Sequence, residues 1–159
     1  MRRALILLML PTLATAGTTV DVDSLSVDGL PIRDLHCDLT QGGLFASVAV
    51  AGVLAEKKTA FDACAPDGAA VTLSWRWDGG ATHDVRAGSS APEGASACVR
   101  TAMTTIQSPQ SGTCRATLLV GDADAAQRAW AASSGRTPSP SAAHASEADK
   151  PAQSKQGPE

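Results

Sequence analysis

Residues 64–120 read CAPDGAAVTLSWRWDGGATHDVRAGSSAPEGASACVRTAMTTIQSPQSGTCRATLLV, and this stretch decides the fold. Val71, Leu73, Trp75 and Trp77 alternate with Ala70, Thr72, Ser74 and Arg76. A period of two marks a strand with one buried face, because successive side chains of a strand point to opposite sides. Asp78-Gly79-Gly80 follows with residues that tolerate positive φ, as a tight hairpin requires. On the returning strand, Thr82, Val85 and Ala87 cannot share one face at strict alternation. A bulge at His83–Asp84 inserts one extra residue and restores the register.

A helix is predicted next. Ser90, Pro92 and Glu93 have the spacing of a capping box with proline in the first turn. Ala95, Cys98 or Val99, Ala102, Met103 and Ile106 form its apolar side. Ser108-Pro109 and Ser111-Gly112 end it. Cys114, Ala116, Leu118 and Val120 then alternate as a closing strand. Upstream, Val50, Val53, Leu54, Phe61 and Cys64 recur at helical spacing, which predicts one helix over 46–64. Gly52 costs that helix about 1 kcal/mol relative to Ala. Pro66 and Gly68 stop it. Leu35, Cys37 and Leu39 predict a first short strand over about 33–39. Residues 17–29 lack apolar bulk and are expected to be a loosely ordered lead-in.

The chain has 159 residues, enough for one domain with extensions. It opens with Arg2 and Arg3, an apolar run from Ala4 to Leu10, and Ala14-Thr15-Ala16. These are the charged, apolar and small-residue parts of a cleavable secretory signal over 1–16. The rival reading is an uncleaved anchor, but the apolar run is about a third of the ~20 residues a membrane span needs. Removing Arg2 and Arg3 from 13 basic residues leaves 11 against 16 acidic ones, a net charge of −5. No Lys/Arg cluster is present, so neither nucleic acid nor an anionic membrane is an expected partner. No membrane span is expected once the signal is removed. The destination read from this is periplasmic or secreted.

All four cysteines, Cys37, Cys64, Cys98 and Cys114, follow the signal. An even count in an exported chain reads as two disulfides. Zinc is the rival, but the spacings contain no paired knuckle. From residue 122 onward, Ala, Ser, Pro and charge dominate. That composition predicts a tail over 122–159 too poor in apolar residues to offset the entropy of ordering, beyond a transient turn near Asp124–Ser133. Trp130 is its one bulky residue.

No catalytic constellation is legible, and no cofactor or metal is expected. His83 and Asp84 sit at the predicted bulge without a nucleophile placed to complete a relay; as exposed turn residues they need no further role. His36 and His144 are isolated. Asp21, Asp23 and Asp28 lack the Gly and Glu positions of a calcium loop. Trp75 and Trp77 could line a ligand slot. In a chain with no Tyr and two Phe, the same face is also needed as core.

Residues 80–106, GATHDVRAGSSAPEGASACVRTAMTTI, resemble the second half of TonB-type C-terminal domains. The nearest branch is the Cys-containing AgmX/PglI C-terminal domain, associated with gliding motility and other envelope proteins. Cys64 matches a Cys at the end of the first helix. Val71, Leu73 and Trp75 match a V-x-V-x-F strand, Gly80 a turn Gly, and Cys98-Val99 a Cys-Val in the second helix. Ala102-Met103 matches an Ala-Met pair of TonB itself. The resemblance spans residues 46–120. Thr104, Thr105 and Ile106 depart from the aromatic segment that follows the second helix in the family. A cleavable signal stands where TonB has an anchor and spacer, which argues against energy transduction. The resemblance implies an interaction module that presents a sheet edge to a partner strand.

The expected architecture is therefore α+β in two layers: an antiparallel sheet of three or four strands with two helices on one face. A disulfide-bonded domain is expected over 30–121. Cys64 at the end of one helix should pair with Cys98 in the other, and Cys37 with Cys114 on neighbouring strands. Each bridge closes a long loop and should contribute about 4 kcal/mol. The expected function is a non-enzymatic envelope module binding a protein partner by strand addition. The alternative is a small secreted ligand-binding protein or hydrolase using the Trp75/Trp77 face. The expected binding edge is the closing strand, through Arg115, Thr117 and Leu119. If the Leu35–Leu39 strand covers that edge, binding moves to Thr82–Ala87.

Overall fold

A computed structural model describes residues 17–43, 45–88 and 90–135. The expected signal over 1–16 and the tail beyond 135 lie outside the described residues. The elements are β1 (Thr18–Val27), β2 (Leu30–Leu39), α1 (Ala46–Ala55), α2 (Lys58–Cys64), β3 (Ala69–Asp78), β4 (Thr82–Ala87), α3 (Glu93–Thr104), β5 (Ser111–Val120) and α4 (Ala123–Ser134). The fold is α+β. Among the described residues the sheet has five antiparallel strands, ordered β1-β2-β5-β3-β4, with four helices rather than two.

The core lies between one face of the sheet and α1, α2 and α3. Val71, Leu73, Trp75 and Trp77 of β3 point into it, as do Ala116, Leu118 and Val120 of β5. They meet Val50 and Leu54 of α1, Phe61 of α2, and Val99 and Met103 of α3. The rings of Trp75 and Trp77 meet edge to face, with centroids 5.5 Å apart. Trp77 Nε1 donates to Thr82 Oγ1 at 2.8 Å, and that hydroxyl donates to the Ile106 carbonyl at 2.7 Å. A single buried threonine thus satisfies two groups that could not reach water.

The β3–β4 hairpin forms as expected, with Gly79 at φ 86°. Its bulge is present too. Register passes from Arg76↔His83 to Ser74↔Arg86, and Asp84 takes φ 54°. Both disulfides pair as expected, Cys37 with Cys114 and Cys64 with Cys98.

Five expectations need correction. First, the lead-in is a strand. Asp28 and Gly29 take φ 48° and 76°, the two positive values of a primed hairpin turn, and pair β1 with β2 from Thr18↔Leu39 to Val27↔Leu30. Pairing supplies the order that its small side chains could not. Second, the helix over 46–64 breaks at Glu56–Lys57. Two shorter helices can then meet different partners, α1 against β1 and α2 against α3. Third, the capping box does not form. Pro92 occupies the position before α3, with no side-chain cap, so Ser90 is too far upstream.

Fourth, residues 123–134 form a docked helix. Asp122 caps α4 by accepting from the Ala125 amide at 2.9 Å, and Gly135 ends it at φ 65°. Ala126 and Ala131 are buried, and Ala126 and Trp130 cover Ala70 and Leu119. Those two residues alternate with the core positions of β3 and β5, so α4 lies on the outer face and adds a third layer. Gly121 makes the reversal from β5 into α4 possible. It has φ 75°, and a Cβ there would lie 1.8 Å from the Ala65 carbonyl oxygen. Fifth, β5 is an interior strand, between β2 and β3.

Candidate functional site

The residues expected at a binding edge lie in the middle of the sheet. Thr117 is buried and shares a 2.9 Å hydrogen bond with Thr72 across to β3. Leu119 is buried under α4. Arg115 is exposed on the outer face, where it stands opposite His36 on β2 and Ser74 on β3. Because β2 and β3 take up both sides of β5, its backbone has no capacity left for a partner strand. Leu35–Leu39 does cover that edge, and Cys37–Cys114 crosslinks the two strands.

Trp75 and Trp77 are 3% and 1% exposed, under the helices. A ligand cannot reach that face while the helices are packed. The two polar pairs at the bulge are used on the surface: His83 Nε2 is 2.8 Å from Asp78, and Arg76 Nε donates to Asp84 at 3.0 Å. His36 stands between Asp38 at 3.5 Å and Asp21 at 3.8 Å. His144 lies outside the described residues. Among the described residues, no group of three His, Cys, Asp or Glu is placed to hold a metal ion.

Two further surfaces are formed by α4 and β1. On the outer face, α4 stands beside a polar groove of about 560 Å³ lined by Asp21, His36, Thr72, Arg115, Thr117 and Trp130, among others. Trp130 Nε1 donates to Asp34 at 3.2 Å, and the Arg33 guanidinium lies 5.5 Å from its ring centre. Opposite charges and hydroxyls share this groove.

The second surface is the free edge of β1. A groove of about 490 Å³ runs beside Thr18–Val22 and is closed on its far side by Gly43, Ala46 and Ser47 at the start of α1. β1 extends over ten residues, TTVDVDSLSV, and carries no Lys or Arg. Its inner side consists of Val20, Val22, Leu25 and Val27, packed on the core. Thr19, Asp21, Asp23, Ser24 and Ser26 are exposed. The inner spacing widens from two to three between Val22 and Leu25. β2 does the same between Ile32 and Leu35, where Asp34 takes φ 51°, so the hairpin bends as one piece. Asp28-Gly29 was the sequence signal for this edge, since Asp-Gly between short alternating runs is a strong hairpin mark.

The opposite edge is β4, with six residues. It is bulged at Asp84, and its flanks are tied by Gly88 N–H to the Thr72 carbonyl and by an Ala81–Gln107 bridge. Among the described residues, no helix is long and apolar enough to cross a membrane. No protein-family model matches the chain, and no curated protein or solved structure is significantly similar to it.

Proposed function

We propose that this chain is a non-enzymatic, exported interaction module of a bacterial cell envelope that binds a protein partner by adding the partner's strand to a free sheet edge. The observation that carries this reading is the sheet itself, whose two outer strands have no further strand beside them among the described residues. An outer strand presents a row of backbone N–H and C=O groups that an extended chain can pair with. Two disulfides support export, because such bonds persist in oxidising compartments. The order α2, β3–β4, α3, β5 is the order on which the resemblance to TonB-type domains rests. The β1–β2 hairpin departs from that pattern by covering β5, so the binding strand moves to an end of the five-stranded sheet.

The test is capture from envelope extract with the chain starting at Gly17, followed by amide hydrogen exchange on the complex. New protection at the amides of an outer strand is the expected result. A stable complex that protects only helices or the outer groove would sink the strand-addition reading.

A further inference from the structure

We infer that the binding edge is β1, and that it takes an extended segment alternating apolar with basic residues, seated between β1 and the start of α1. This inference rests on the strand-addition reading and adds the edge and the chemistry of the partner.

Three separate features meet at that edge. The first is room: the groove beside Thr18–Val22 is bounded by the strand on one side and by Ala46 and Ser47 on the other. A chain entering it has β1's backbone along one flank and a helix along the other. The second is apolar surface. Phe45 and Val48, the two large apolar side chains exposed among the described residues, flank Ala46 and Ser47 at 74% and 56% exposure. Val22, on the inner side of β1, is only half-buried. Alternate residues of an added strand would point to this side, and apolar ones would bury it.

The third feature is charge. The exposed side of β1 carries Asp21 and Asp23, and Asp21 is 77% exposed. Cross-strand neighbours of opposite charge are favoured and like charges opposed. The remaining positions of the added strand therefore suit Lys or Arg. The same rule weighs against a second copy of this chain, since two β1 strands side by side would bring four Asp side chains onto one surface. The cations nearest the patch sit on other strands: Arg115 of β5 lines the outer groove together with Asp21 and Asp23, and the Arg33 guanidinium of β2 donates to Ser24 and Gln127, so on β1 itself the two carboxylates are the only charges.

The test uses the chain starting at Gly17 and two synthetic peptides, one alternating valine with lysine and one alternating valine with glutamate. Affinities are read by calorimetry and contacts by amide exchange. The valine–lysine peptide should bind at least tenfold more tightly, weaken as salt rises, and protect amides within Thr18–Val27. Asp21→Lys with Asp23→Lys should invert the preference between the peptides, a gain of binding that misfolding cannot mimic. Protection at Thr82–Ala87 instead, lost in Val85→Pro, would overturn the assignment to β1 while leaving strand addition intact. Binding that protects neither edge would overturn both. Equal affinity for the two peptides, or binding of neither, would overturn the proposed chemistry. Self-association through β1, seen by sedimentation and matching protection of Thr18–Val27 without peptide, would replace the partner with a second copy.

Discussion

The two ends of the sheet are built on opposite plans. β4 is short, bulged at Asp84, and crossed by the pairs His83–Asp78 and Arg76–Asp84. Those are the devices that keep an edge from pairing with other chains. β1 is ten residues long and lies next to a groove, with acidic residues as its only charges. They repel another copy of the same strand and leave a basic one welcome. Within one sheet, then, one edge is short and bulged, and the other is longer, with one irregularity between Val22 and Leu25. Their anchoring differs as well. The β1 end is held through β2 by Cys37–Cys114, a bridge of 77 positions. The β4 end is held by non-covalent contacts to α3 and by the Thr82 hydroxyl.

The largest effect should come from removing the covalent anchor. Cys37→Ala with Cys114→Ala is expected to cost about 4 kcal/mol, because the bridge closes a long loop of the unfolded chain. Urea unfolding measures the loss. Amide exchange should show β1 and β2 opening before β3 and β4. Equal loss of protection at both ends would mean that the crosslink supports the whole domain and not the β1 edge.

Gly121→Ala tests whether α4 holds both ends together. Its positive φ and the nearby Ala65 carbonyl leave no room for a methyl, so roughly 3 kcal/mol should be lost. A thermal melt would show it. Because α4 docks on β3 and β5, the centre of the sheet, protection should fall at both ends alike.

Thr82→Val attacks the β4 end. It leaves the Trp77 indole N–H and the Ile106 carbonyl without their shared partner, at a cost of about 2 kcal/mol. Exchange should accelerate in β4 and the end of α3 while β1 is unchanged. Asp84→Gly is the mildest change. Glycine accepts φ 54° more easily than Asp, but the pair with Arg76 is lost. The net change in unfolding free energy should stay within about 1 kcal/mol. A larger loss would show that the bulge depends on that ion pair.

Legibility in the sequence followed the range of the interactions. The β3–β4 hairpin, its bulge and the apolar side of α3 could be read because each depends on neighbours a few residues apart. The disulfide pairing was legible as well, since it follows from which elements share a face. The position of β1 was not legible because only Asp28-Gly29 marks it, and the small side chains before that turn carry too little apolar bulk to read as a strand. The position of α4 was missed although Asp122 and Gly135 bracket an Ala-rich run with N-cap and C-cap residues. Its composition resembles that of an unstructured tail because alanine contributes little apolar area of its own. In the folded chain, small side chains let α4 approach the sheet closely, and Ala126 is fully buried there.

By itself, then, the sequence determined the α+β class, the paired cysteines, the central hairpin and its irregular return strand. All of these are written in periods of two or 3.6, in turn residues, and in the count of cysteines. Only the tertiary structure decided that β2 lies beside β5, that α4 covers the outer face, and that the longer of the two outer strands is β1. Strand order is set by which distant pairing buries the most apolar surface without leaving backbone groups unpaired. β5 has core residues on one face and Thr117 and Leu119 buried on the other, so an interior place satisfies it on every side. β1, with its exposed acidic side, can end a sheet and still keep its charges in water.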